Sequence, residues 1–154
     1  MDIFKTFALD ETALDKGVWR VMQLTPDGKV ETVPVQESEI GDRQAVLVAS
    51  TDNPKYEQLV NAKKKPYLMK QRNREEPLPP EVRDRIIGES LADSIILDWR
   101  NFRIGDQEWA YSKEAVMEIW TRPKWTRLRD VFLAMIGDVD VFKVDQEEAT
   151  VKNS

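Results

Sequence analysis

Carboxylates and lysines are the main side chains in this sequence that could carry out chemistry, because the chain contains no histidine and no cysteine. Without histidine it lacks the one side chain whose unperturbed pKa lies near neutrality, and histidine-based catalysis and metal ligation are excluded. Without cysteine it has no thiolate nucleophile, no disulfide and no cysteine-ligated zinc. The commonest tools of general acid–base and nucleophilic catalysis are therefore missing.

No carboxylate occupies a position whose surroundings predict a raised pKa. Asp98, within the apolar run Ile95–Trp99, comes nearest, and we interpret it as a helix-end residue that bonds to loop backbone. The six glycines form no phosphate-binding loop, and no EF-hand spacing is present. We therefore expect no catalytic residues, no cofactor, no metal and no small-molecule substrate.

A basic segment is the best candidate for binding nucleic acid. It runs from Lys63 to Arg74, and Tyr67 within it could stack on a base. However, the whole chain has a net charge of −5, Glu75 and Glu76 follow at once, and no nucleic-acid recognition motif accompanies the segment. We favour a solvated helix end, where lysines meet the negative end of the helix dipole, and consider nucleic acid the weaker alternative.

Four of the five tryptophans lie within residues 99–125. Large aromatic residues are enriched both in protein cores and at the centres of protein–protein interfaces. We interpret this group mainly as an aromatic mini-core that joins the last helices. We also expect at least one tryptophan to be exposed to a partner, and Trp109, in a predicted loop, is the best candidate.

The first third of the chain, residues 10–51, predicts a three-stranded antiparallel sheet. Val18–Leu24 carries apolar residues on both faces, and Pro26–Gly28 is a turn signal before a return strand over Val30–Val33. Ala45–Ala49 is a short, β-branched apolar run typical of a buried strand.

The remainder, residues 52–137, predicts about four helices, so the fold class is α+β. The first helix begins after Asn53 and should end near Lys65, because Pro66 follows; an extended connector then reaches Pro80. The predicted helices after this connector are Pro80–Asp98, a short helix capped by Ser112 and ended by Pro123, and Lys124–Ile136 closed by Gly137. We expect one domain over residues 1–137 and a mobile acidic tail over residues 138–154.

The beginning of the chain, Met1–Leu9, has no signal-peptide pattern. No apolar run approaches the ~20 residues that a membrane-spanning helix requires. We therefore expect a protein that stays in the reducing cytoplasm and has no membrane partner.

Between residues 49 and 137, several short motifs follow one another in a characteristic order. They are Ala49-Ser-Thr-Asp-Asn-Pro-Lys-Tyr56, Lys65-Pro-Tyr67, Ile95-Ile-Leu-Asp-Trp99, Gly105, Tyr111-Ser112 and Leu128-Arg-Asp130. In order and spacing, this part of the chain resembles the tail assembly chaperones of long-tailed bacteriophages.

The resemblance implies a protein of the host cytoplasm that binds the tape measure protein during tail morphogenesis. It keeps that protein soluble while the tail tube protein, another potential partner, polymerises around it. Many such chaperones are made in two lengths by ribosomal frameshifting. The protein sequence decides neither whether a longer form exists nor whether the chain forms a homo-oligomer.

A chaperone of this kind needs an accessible apolar surface, and a long helical partner favours binding of a helix in a groove. We place that groove between the helices predicted over Pro80–Asp98 and Lys124–Ile136, which have broad apolar faces. The predicted partner-binding residues are Ile87, Leu91, Ile95, Trp99, Trp109, Trp125, Leu128 and Phe132. The alternatives are a structural virion protein, such as a head–tail connector or tail terminator subunit, and a small nucleic-acid-binding regulator.

Overall fold

The computed structural model of the chain describes residues 3–4, 8, 10–70 and 77–137, and these form a mixed α and β fold. The predicted acidic tail and the middle of the predicted connector lie outside the described residues. The elements, in chain order, are α1 Glu11–Lys16, β1 Val18–Leu24, β2 Val30–Val35, a 3-10 turn Glu37–Glu39, β3 Ala45–Val48, α2 Pro54–Lys70, α3 Pro80–Ser94, β4 Ile96–Arg100, β5 Arg103–Ile104, β6 Gln107–Glu108, α4 Lys113–Thr121, a second 3-10 turn Pro123–Trp125 and α5 Thr126–Ile136. None of the described helices is both long and apolar enough to cross a membrane.

The main sheet has four antiparallel strands in the order β2-β1-β3-β4. Its first three strands confirm the strands predicted from alternation and from the β-branched run. The β1–β2 hairpin turns at Pro26–Gly28, where Gly28 adopts a φ of +83° that suits glycine. Pro34 lies in β2, at the edge of the sheet, where a missing backbone donor costs no ladder hydrogen bond.

The fourth strand corrects the prediction of a helix that runs from Pro80 to Asp98. Helix α3 ends at Ser94, and β4 over Ile96–Arg100 pairs with β3, with Val46 opposite Trp99. The run Ile95–Trp99 is rich in β-branched and aromatic residues, which favour a pleated strand, and β3 offers it an unpaired edge. Tertiary pairing therefore outweighs the apolar helical spacing of this run.

The two faces of the main sheet pack against different partners. One face, with Val18, Met22, Val46 and Val48, belongs to the main core that it shares with helices α3, α4 and α5. On the other face, Trp19, Val21 and Ala45 form a smaller core that is closed by Ile40. The Arg100 guanidinium covers this second face, with its Cζ 4.7 Å from the centre of the Trp19 ring.

Helix α2 begins as predicted but does not end as predicted. Asn53 Oδ1 accepts a hydrogen bond from the backbone N–H of Lys55 at 3.1 Å, and the helix begins at Pro54. It then continues through Pro66 to Lys70. Proline removes one helical hydrogen bond, but Leu68, Met69 and Lys70 are good helix formers, so the helix does not stop there.

Helix α3 packs closely against helix α4. A Cβ added to Gly88 would lie 2.9 Å from Trp120 Cβ and 3.1 Å from Met117 Sδ, so only glycine fits this crossing without a shift. The predicted cap of α4 is confirmed, because Ser112 Oγ accepts a hydrogen bond from the backbone N–H of Ala115 at 3.0 Å. The last predicted helix is split into the 3-10 turn Pro123–Trp125 and α5, which Gly137 follows.

Candidate protein-interaction site

A continuous set of aromatic rings joins β4, the β5–β6 hairpin and the turn before α5. The ring of Trp99 lies 5.2 Å from Phe102, 5.3 Å from Trp109 and 5.3 Å from Tyr111, measured between ring centroids. Trp109 in turn stacks on Trp125 at 5.2 Å. Three of the four tryptophans predicted to cluster meet here, whereas Trp120 pairs with Phe132 at 6.1 Å between ring centroids. Such ring pairs stabilise the fold by about 0.5–1.5 kcal/mol each beyond area burial.

The indole N–H groups of Trp99 and Trp125 differ in their hydrogen bonding. Trp99 Nε1 donates to the carbonyl oxygen of Trp109 at 2.6 Å, which holds the hairpin against β4. Trp125 Nε1 is buried and has no hydrogen-bond partner among the described residues. A buried donor without an acceptor costs about 1–3 kcal/mol.

Next to these rings lies a small surface cleft of about 150 Å³, which we call the aromatic cleft. Its lining is mostly apolar. Its lining residues are Met22, Gln44, Phe102, Arg103, Ile104, Trp109, Trp125 and Leu128. Ile104 is 48% exposed, which is unusual for an isoleucine that borders an aromatic cluster.

Three of the eight predicted partner-binding residues come together in the aromatic cleft: Trp109, Trp125 and Leu128. Each is partly buried against the main core. The structure therefore places Trp109 beside the surface, in a half-buried position after the hairpin.

The other predicted partner-binding residues belong to the core. Leu91, Ile95 and Phe132 are fully buried, and Trp99 is 4% exposed. Ile87 packs partly buried against the same core. These fully buried side chains pack against other residues of the core. The groove predicted between the helices Pro80–Asp98 and Lys124–Ile136 is therefore filled at these positions. Their role in partner binding stays a prediction that would require the core to open.

Sequence reasoning missed the cleft residues that come from outside the predicted helices. Met22 comes from β1 and Phe102 follows β4, while Ile104 lies in a hairpin that was predicted as a loop. An exposed isoleucine directly before the Gly105-Asp106 turn was an available signal, because hairpin positions beside a turn are usually polar. Strand β1 and this hairpin both reach the cleft because of the order of strands in the four-stranded sheet. The sequence pattern predicted only three of these strands.

Tyr111 anchors the aromatic rings to α3 and β4. Its hydroxyl donates to the carbonyl oxygen of Ile96 at 2.7 Å. Burial raises the pKa of Tyr111, and the negative charges of Asp98 and Asp93 raise it further. The hydroxyl is therefore held in its neutral form, as a donor to backbone. Asp98 was interpreted as a helix-end residue that bonds to loop backbone, but it lies within β4, where its Oδ1 accepts from the backbone N–H of Trp99 at 2.8 Å.

The charged groups near this region form ion pairs. Asp93 Oδ1 lies 2.8 Å from Lys113 Nζ, and Asp93 Oδ2 lies 3.6 Å from Lys63 Nζ. Burial raises the pKa of Asp93, but the hydrogen bond from Lys113 and the two lysine charges outweigh that effect and lower it. Among residues 3–4, 8, 10–70 and 77–137, no group of three or more carboxylates is placed to hold a metal ion.

The fold and this cleft define a small mixed α and β protein with an aromatic surface site. Residues 51–153, about two thirds of the chain, match the family described as YdaY prophage protein, and the chain belongs to that family. The protein is therefore of phage origin, as the sequence resemblance implied, and the description of the family names no role in tail assembly. No curated protein and no solved structure matches the chain significantly.

Proposed function

We propose that this protein is a phage tail assembly chaperone that binds the tape measure protein, and also the tail tube protein, in the host cytoplasm. It acts without catalysis: it covers apolar surface of the partner until the tail assembles. Membership of a prophage protein family and the order of motifs over residues 49–137 both support this function.

The aromatic cleft is the observation that carries the proposal. Tryptophan, leucine and methionine side chains line a concave surface together with Gln44 and Arg103, and such a composition is typical of the centre of a protein–protein interface. An apolar cavity of about 150 Å³ holds a guest the size of benzene, so the cleft fits one large apolar side chain of a partner. Long helical proteins present such anchors at regular spacing.

Co-expression with the tape measure protein of the same prophage tests the proposal. We expect the tape measure protein to be soluble with the wild-type chain and insoluble without it. Ile104→Glu should abolish this effect, because it places a charge at the mouth of the cleft. Val33→Glu is the matched control: Val33 is 45% exposed against 48% for Ile104, and it lies in β2, away from the cleft.

Two results would overturn the proposal. One is a tape measure protein that is equally insoluble with and without the chain, and the other is an equal effect of the two glutamate variants. Mass spectrometry of purified virions distinguishes the chaperone from the main alternative, a structural virion protein, because a chaperone should be absent from finished particles. A copy number similar to that of the tail proteins would instead assign the chain to the structural virion proteins.

A further inference from the structure

Helix α2 carries apolar and charged side chains that remain largely at the surface, although Tyr56 near its start packs against the main core. The helix is 17 residues long, yet none of its residues is buried. Near its middle, Lys63 Nζ pairs with Glu89 at 3.3 Å and with Asp93 at 3.6 Å, which ties the helix to α3. Beyond this tie, Pro66, Tyr67, Met69 and Lys70 are exposed.

Five residues of α2 lie on one side of the helix and border a concave surface of about 550 Å³. They are Asn61, Lys64, Lys65, Leu68 and Met69, and we call them the α2 stripe. Their spacing of three and four residues brings them onto one face. The two apolar residues lie one turn beyond the two lysines, and Met69 is 69% exposed.

The lysines of the α2 stripe have no ion-pair partner among the described residues, whereas Lys63 beside them has two. Helix α2 carries five lysines and one glutamate, a net charge of +4 in a chain whose total is −5. The positive charge is therefore concentrated on this element. Charge complementarity of this kind selects an anionic partner and accelerates its association.

We propose that the α2 stripe is a docking surface for an acidic amphipathic helix of a partner protein. Glutamate or aspartate of that helix would pair with Lys64 and Lys65, and its apolar residues would cover Leu68 and Met69. The match of charge and helical spacing supports this occupant. The inference rests on the proposed function only for the identity of the protein that supplies the helix.

A protein helix explains the stripe better than nucleic acid does. Phosphate backbones are bound by cations and stacking rings, and they offer nothing to an exposed methionine beside a leucine. Methionine, in contrast, is common on surfaces that adapt to different protein partners, because its side chain is flexible and polarisable.

Fluorescence anisotropy with the full-length chain tests the inference. The probe is a labelled acidic helical peptide of about 20 residues with a leucine stripe flanked by glutamate, and its scrambled sequence is the matched probe. We expect Lys64→Glu/Lys65→Glu to weaken peptide binding by at least about tenfold, because like charges then face each other. Lys16→Glu/Lys55→Glu, the same change of charge at two exposed lysines off the stripe, should have little effect.

Met69→Gln removes only the apolar contribution and should also weaken binding of the acidic peptide. The inference is wrong if the scrambled peptide binds as well as the helical one, or if the two double variants behave alike. It is also wrong if a single-stranded oligonucleotide of about 20 nucleotides binds the stripe more tightly than the peptide does. A dimer in sedimentation velocity that Lys64→Glu/Lys65→Glu dissociates would assign the stripe to a second copy of the chain instead, and would overturn the proposal.

These outcomes separate this inference from the proposed function. If the wild-type chain keeps the tape measure protein soluble but Lys64→Glu/Lys65→Glu leaves the affinity for the peptide unchanged, only the assignment of the α2 stripe is wrong. If the peptide binds through the stripe and the tape measure protein stays insoluble, only the proposed function fails.

Discussion

Helices α2 and α3 are neighbours of similar length, but they differ in how many of their residues the core covers. Helix α3 has 15 residues, six of which are buried against the sheet and α4, whereas α2 has 17 residues and buries none. Most helices in proteins are stabilised by the face they bury. The comparison therefore separates an element that holds the fold together from one that the fold carries at its surface.

The largest expected difference comes from the same substitution in the two helices. Leu91→Ala in α3 should lower the free energy of unfolding by about 2–5 kcal/mol, because it leaves a cavity at a fully buried position. Leu68→Ala in α2 should cost less than about 1 kcal/mol, because this side chain keeps contact with solvent. Chemical denaturation measures both. If both variants lost the same free energy of unfolding, α2 would contribute to the stability of the fold as much as α3 does, which would contradict this comparison.

A glycine in α3 gives the next largest effect. In an open helix, replacing glycine by alanine gains up to about 1 kcal/mol of helix propensity. At Gly88 the new Cβ would press on Trp120 and Met117, and such overpacking costs about 1–3 kcal/mol. We therefore expect Gly88→Ala to lower the melting temperature in a thermal scan. A raised melting temperature would show that Trp120 and Met117 can shift to accommodate the added Cβ at little cost in free energy.

The ion pairs of Asp93 in α3, with Lys113 of α4 and Lys63 of α2, give the smallest effect, and it depends on pH. The pKa of Asp93 is lowered in the folded protein, so its charged form contributes stability above the usual value of 3.8, and this contribution is lost as the pH falls below that value. Asp93→Asn should therefore reduce stability at neutral pH and flatten its decline in acid. Denaturation at several pH values measures this, with Asp130→Asn on the exposed side of α5 as the control. An unchanged acid profile in Asp93→Asn would contradict it.

Local signals predicted much of the secondary structure. The alternation in Val18–Leu24, the turn at Pro26–Gly28 and the caps at Asn53 and Ser112 act over a few residues, and the structure confirms them. The wrong predictions concern segments where a local signal, such as a proline or an apolar helical spacing, was outweighed by neighbouring residues or by pairing with a distant strand. Pro66 was expected to end α2, and Ile95–Trp99 was expected to extend α3 rather than pair with β3.

The candidate site was predicted in part, for the same reason. Trp109, Trp125 and Leu128 were found because aromatic and apolar residues cluster in sequence near the end of the chain. Met22 and Ile104 were missed because they reach the cleft from β1 and from a hairpin, and only the order of strands brings these elements together. Helical spacing also could not separate Leu91 and Phe132, which lie in the core, from residues at the surface.

The neighbouring indoles of Trp99, Trp109 and Trp125 have a consequence for optical spectroscopy. Trp99 lies 5.3 Å from Trp109, and Trp109 lies 5.2 Å from Trp125, so the excited states of neighbouring rings couple. Their combined circular dichroism signal depends on the angles between the rings, which are 53° and 24°. A guest side chain that shifts either ring would change the near-ultraviolet spectrum without any attached dye. The protein thus contains its own chromophore for titrating whatever enters beside Trp109.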